Sequence, residues 1–113
     1  MQDDVRPDDD VPADLDFDAT GAQRLIDEGY QLLDVRTQEE WDEAHVDGAT
    51  HIPLDQLVER ADEVGDRVVA MCKGGGRSAR ATAYLRSAGR DVINLEGGIT
   101  GWVEQGRPVV GAG

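Results

Sequence analysis

Apolar positions recur along the chain in two rhythms, short unbroken runs and runs spaced three or four residues apart. Their alternation predicts strands interleaved with helices. Leu25 and Ile26 follow Thr20-Gly-Ala-Gln23, which has the spacing of a capping box, so a short helix is expected there, stopped by Gly29. Tyr30 to Arg36, with Leu32, Leu33 and Val35 nearly continuous, reads as a strand covered on both faces. Thr37-Gln-Glu-Glu40 is a second capping box, opening a brief acidic helix that is expected to carry Trp41 toward the core. His45-Val-Asp-Gly48 is a turn, Ala49 to Ile52 a short strand closed by Pro53. Leu54, Leu57, Val58 and Ala61 then repeat at helical spacing up to Gly65. Val68 to Cys72 is a second apolar strand, and Ser78 to Ala88 a helix with Ala81, Tyr84 and Leu85 inward. Val92 to Leu95 is a third core strand, and Ile99, Trp102 and Val103 form the buried side of a last helix ended by Pro108. Strands alternating with helices imply an α/β class and a mostly parallel sheet covered on both faces.

The length of 113 residues limits this pattern to one hydrophobic core. No apolar run approaches the roughly 20 residues of a membrane span. Met1-Gln2-Asp3-Asp4 has neither the basic nor the apolar region of a secretory signal, so a cytoplasmic protein with no membrane partner is expected. The net charge of −13 argues against nucleic acid, whose phosphates demand a basic face. A single cysteine, Cys72, rules out a disulfide framework and is too few for a thiolate zinc site; no metal and no cofactor are expected.

Charge is also unevenly placed. Residues 1–18 carry eight aspartates and one arginine, and are expected to form an acidic, largely disordered arm, with at least residues 1–14 mobile. Residues 19–106 form the domain and 107–113 a C-terminal tail. From Arg67 to Arg90 the sign reverses, with six cations and no acidic residue, and Cys72 lies inside this stretch.

There the apolar strand Val68 to Cys72 runs through Lys73-Gly74-Gly75-Gly76-Arg77-Ser78 into a helix. Ligands of open α/β sheets bind at the carboxyl ends of strands. Three glycines remove every side chain that would screen the backbone, and permit the positive-φ conformations that turn successive N–H groups inward around an anion. The helix adds the positive end of its dipole. Lys73 and Arg77 bracket the loop with full charges, a field in which Cys72 is expected to ionise readily and act as a nucleophile. A small buried hydrophobe is the plainer reading of a strand-end cysteine, but core packing has no need of three glycines and two cations beside it.

This loop occurs together with Leu33-Asp34-Val35-Arg36, Glu40-Trp41, His45-Val-Asp-Gly48-Ala49, Ile52-Pro53 and Leu95-Glu96-Gly97-Gly98-Ile99 followed by Trp102. Taken in that order, the motifs resemble the single-domain rhodaneses. The resemblance implies a three-layer α/β domain, a parallel five-stranded sheet flanked by helices on both faces. It implies that Cys72 is the persulfide-forming residue and that Lys73, Gly74, Gly75, Gly76, Arg77 and Ser78 cradle the substrate. Asp34 and Arg36 match an element beside the loop and are read as a supporting salt bridge or as direct substrate contacts. His45 is read as structural. Ala44 stands where the family usually has glycine, and Asp47 where proline is common.

The implied activity is sulfurtransferase chemistry, moving sulfane sulfur from a small anionic donor such as thiosulfate to a thiol, cyanide or protein acceptor. With no second cysteine to resolve a persulfide, the acceptor is external. Two other classes stay open. One is a non-catalytic sulfur-carrier or regulatory module; the other is a cysteine-dependent phosphatase or arsenate reductase of related fold. A phosphatase loop needs five residues between cysteine and arginine, whereas Lys73 to Gly76 supply four.

Aspartate outnumbers glutamate sixteen to eight, and Lys73 is the only lysine among eleven cations, a balance suited to a salty cytoplasm where dense carboxylates hold water and repulsion is screened. Thermal stability is therefore expected to rise between low and molar salt; equal melting temperatures in the two would refute this salt adaptation.

Overall fold

The computed structural model describes residues 15–111. Seven strands and four helices follow in chain order: β1 Asp16–Phe17, α1 Ala19–Asp27, β2 Gln31–Asp34, α2 Gln38–Glu43, β3 Ala44–His45, β4 Thr50–His51, β5 Arg67–Met71, α3 Gly76–Ser87, β6 Asp91–Leu95, α4 Gly98–Glu104 and β7 Val110–Gly111. Five strands form one parallel sheet in the order β1-β6-β5-β2-β4. β3 and β7 form a separate antiparallel ribbon.

Side chains alternate across the sheet. On β5, Val68 and Ala70, with Cys72 beyond them, join Leu33, Leu57, Ala81 and Leu85 under α3 and the 54–64 segment. Val69 and Met71 face the other way, into Ala22, Leu95, Ile99 and Trp102 under α1 and α4. Both faces of β5 are thus dry, the condition for a parallel strand with an unbroken apolar run.

Several expected boundaries move for identifiable reasons. The first helix is capped not by Thr20 but by Asp18, whose carboxylate accepts the Gly21 N–H at 3.0 Å. Of the acidic arm expected over residues 1–18, residues 1–14 lie outside the described residues, whereas Asp16–Phe17 is the edge strand β1, in register with Asn94 and Leu95. The stretch with helical spacing from Leu54 to Ala61 forms two short 3₁₀ turns, Leu54–Gln56 and Ala61–Glu63, and buries Leu57 while Val58 stays 68% exposed. Val103 likewise faces outward, half exposed. His45, expected in a turn, is in β3 opposite Val110, which draws residues of the expected 107–113 tail into the ribbon. The capping box at Thr37 forms as read, with Thr37 and Glu40 bonding each other's backbone N–H. Trp41 is only half-buried, stacked on His45 at 3.7 Å and on His51 at 4.6 Å between ring centroids.

The carboxyl end of β5 is fixed from α4. The Ile99 N–H donates to the Cys72 carbonyl at 2.8 Å and the Thr100 N–H to the Lys73 carbonyl at 3.1 Å, so free amides of a helix start satisfy carbonyls leaving the sheet. This approach requires glycine at 98. Its φ is +57°, and a Cβ there would overlap the carbonyl groups of Cys72 and Lys73. Gly98→Ala is therefore expected to destabilise the fold by roughly 2–4 kcal/mol, combining backbone strain with overpacking. Chemical denaturation of the variant beside the parent chain checks this; an unchanged midpoint would contradict it.

Candidate active site

Cys72, expected as the last residue of the strand, lies just beyond the end of β5 and is 1% exposed. Its Sγ accepts the Gly75 N–H at 3.0 Å, and Ser78 Oγ lies 3.4 Å away. Gly75 is the residue that the loop needs as glycine. Its φ is +111°, it precedes the first turn of α3, and its N–H turns back to the sulfur. Gly74 and Gly76 have no positive φ, and a Cβ on either would meet open space, so the expected three-glycine nest contracts to one inward amide at the sulfur. Lys73, Gly74 and Gly76 are exposed above it.

The two cations that the sequence places beside the cysteine part ways. Lys73 makes no ion pair among the described residues, whereas Arg77 is held by Glu40, Nη1 to Oε1 at 2.7 Å and Nη2 to Oε2 at 3.0 Å. Glu40 also accepts the Thr37 N–H at 2.9 Å, so one carboxylate caps α2 and fixes the start of α3. The Arg77 guanidinium, followed by the Thr37 backbone N–H, holds the Glu40 carboxyl down at about 2, against burial that pushes it up.

Asp34 and Arg36 form a buried ion pair, Nη2 to Oδ2 at 2.7 Å, with the Asp34 side chain inaccessible. Arg36 Nη1 donates to the Glu40 carbonyl at 3.2 Å and Nη2 to the Ala44 carbonyl at 2.8 Å, so its guanidinium ties α2 to the end of β2. That geometry gives the pair a structural role, and Arg36 also lines the groove beside Lys73. His45 and His51 bond backbone carbonyls of Trp41 and Arg36.

Two residues absent from the sequence reading complete the site. Asn94, 3% exposed on β6, has Oδ1 at 2.5 Å from Ser78 Oγ, and its Nδ2 donates to Asp16 Oδ1 at 2.9 Å. A polar residue in the apolar run Val92-Ile-Asn-Leu95 is the signal that marks Asn94; Asp16 sits in a segment that its charge assigned to the arm. A groove of about 360 Å³ adjoins the loop at Lys73, lined in part by Glu40, Glu43, Ile99 and Glu104. Among the described residues, no group of three His, Cys, Asp or Glu side chains is arranged to hold a metal ion.

Residues 18–105 match the family model for the rhodanese-like domain. The chain is 40% identical to a sulfurtransferase of Allochromatium vinosum, over 79% of this chain and 87% of that one. It is 34% identical to rhodanese-like domain-containing protein 17 of Arabidopsis thaliana, over 87% of this chain and 74% of that one. It is also 38% identical to a putative sulfur carrier protein of Bacillus subtilis, over 67% of this chain but only 43% of that protein. Among solved structures, a rhodanese-related protein from Thermoplasma volcanium superposes with a TM-score of 0.78 at 31% identity, over 84% of this chain and 96% of that one.

The Glu40–Arg77 pair has a pH signature. A carboxyl near 2 in the fold returns toward 4.5 on unfolding, so the pair contributes fully above about pH 4.5 and is lost as pH falls through about 2. Glu40→Gln is expected to lower stability at neutral pH and to flatten the acid limb over that window. Denaturation midpoints across pH for both chains check this; parallel acid limbs would contradict it.

Proposed function

Because the chain belongs to the rhodanese-like domain family, we propose that it is a sulfurtransferase that carries sulfane sulfur as a persulfide on Cys72. The observation that carries this reading is the Cys72 sulfur at the carboxyl end of the central strand, receiving the Gly75 N–H at 3.0 Å beneath an exposed Lys73. Ligand sites of open α/β sheets lie at such ends.

The Cys72 thiolate attacks the outer sulfur of a dianionic donor such as thiosulfate. A Cys72 sulfur–sulfur bond forms as the donor's own sulfur–sulfur bond breaks, and the electron pair of the broken bond leaves with sulfite. Lys73 and the loop amides stabilise the departing charge, as an oxyanion hole does. Arg77 acts chiefly by holding the loop, since Glu40 already occupies its fork. A thiolate or cyanide then attacks the outer sulfur of the persulfide, and the bonding pair returns to Cys72. No oxidant enters either step.

The four-residue spacing between Cys72 and Arg77 favours sulfur over a phosphoryl group. Similarity to a named sulfur carrier favours a second reading, in which the domain stores sulfur and a partner completes the transfer.

Intact-protein mass spectrometry after thiosulfate treatment is expected to show one added sulfur on Cys72, released by cyanide, and none on Cys72→Ser. An unmodified cysteine would overturn the reading. Stoichiometric loading without turnover would favour the carrier, and phosphate-monoester hydrolysis without sulfur transfer would favour the phosphatase class.

A further inference from the structure

The buried polar chain behind the loop determines where one proton sits. Ser78 is fully buried and its hydroxyl has one hydrogen, yet three acceptors surround Oγ: Asn94 Oδ1 at 2.5 Å, Gly75 O at 3.2 Å and Cys72 Sγ at 3.4 Å. The orientation of the Asn94 amide decides among them. Its other end faces Asp16 Oδ1 at 2.9 Å and Gly75 O at 3.3 Å, both of which only accept, so that end must be the NH₂. The Asn94 carbonyl oxygen therefore faces Ser78, and at 2.5 Å the serine must donate to it. The hydroxyl proton is then committed to Asn94, and Ser78 turns a lone pair to the cysteine.

We propose that Asn94, oriented by Asp16, is a positioning residue that withholds the Ser78 proton from the Cys72 sulfur. Among the described residues, the sulfur anion is left with the Gly75 N–H as its one close donor, so its electron pair is less stabilised. A less stabilised thiolate is a stronger nucleophile, because nucleophilicity falls as the thiolate is stabilised. The inference concerns the nucleophile of the proposed sulfur transfer and rests on that reading only for its purpose; the proton count stands on geometry alone.

Other charges around the sulfur act through space and are common to the variants that test this, apart from Asp16 itself. They are Lys73 on the loop, Arg77 on α3, Asp34 and Arg36 at the end of β2, Glu40 on α2 and Glu96 after β6.

The test needs no sulfur donor, so it fails or succeeds independently of sulfur transfer. Thiolate ultraviolet absorbance at a fixed neutral pH is compared for the parent chain, Asn94→Ala, Ser78→Ala and the double variant. Asn94→Ala frees the hydroxyl proton for sulfur and is expected to raise the thiolate-to-thiol ratio roughly three- to tenfold, the worth of one hydrogen bond to an anion at a weak acceptor. The rate of iodoacetamide alkylation per thiolate should fall in the same variant. Ser78→Ala alone should leave the ratio unchanged or slightly raised, and in its background Asn94→Ala should have no effect. A fall in thiolate on Ser78→Ala would show that serine donates to sulfur in the parent chain and would overturn the proposal. So would an Asn94→Ala effect that is absent, or that persists without Ser78. Should Asn94→Ala fail to fold, Asp16→Asn on the half-buried edge strand, which permits the amide to reverse, is expected to give a smaller change of the same sign that again requires Ser78; no such change would overturn the proposal.

Discussion

A guanidinium taken out of water must find an acceptor for its N–H groups, and the Arg36 side chain, almost wholly buried, meets that demand in one way. It donates to Asp34, the last residue of β2, and to carbonyls at Glu40 and Ala44. Removing either charge of the pair would leave the other buried and uncompensated, a cost far above that of a surface ion pair. The consequence is geometric. α2 is locked against the end of β2, Glu40 is thereby presented to Arg77, and Arg77 fixes the start of α3 and with it the loop over Cys72. The site is set by a relay of charges that begins with a buried pair at the end of β2.

The local excess of positive charge between Arg67 and Arg90 looks different once each cation has a position. Arg67 lies over the Tyr30 ring, Arg77 is bound to Glu40, Arg86 approaches Asp91 at 4.0 Å, and Arg90 donates to the Ala61 carbonyl. Most of the six hold the fold together, whereas Lys73 makes no ion pair among the described residues. Summed charge along a segment drew attention to the Cys72 loop but overstated the charge left unpaired beside it.

What was legible in the sequence was whatever local periodicity or a short motif encodes. The apolar runs of β2, β5 and β6 required strands dry on both faces, and Thr37 with Glu40 announced a capped helix. The Cys72 loop was readable because glycine and charge have no business together at a strand end otherwise. What could not be read depends on distant partners. β1 carries an aspartate in an acidic stretch, and only pairing with Asn94 and Leu95 makes it a strand. β3 and β7 lie 65 residues apart, too far for a hairpin signal. Arg77 looked free because Glu40 is 37 positions away. Val58 and Val103 follow helical spacing on segments whose burial ends earlier than the pattern suggests.

The β1–β6 pairing has a meaning in time as well as in space. Asp16 and Asn94 are separated by 78 residues, and every neighbouring pair in the sheet is parallel, so none forms by a local turn. Contacts of that sequence separation must await closure of long loops, which makes folding slow relative to a local topology. β5 gains β2 on one side, but its other neighbour β6 and the α4 amides that fix its carboxyl end follow it in the chain. The amide that orients Ser78 does not receive its anchor until the first strand of the sheet meets the one that the ribosome makes last. The cysteine is therefore synthesised well before the strand and helix that complete its surroundings.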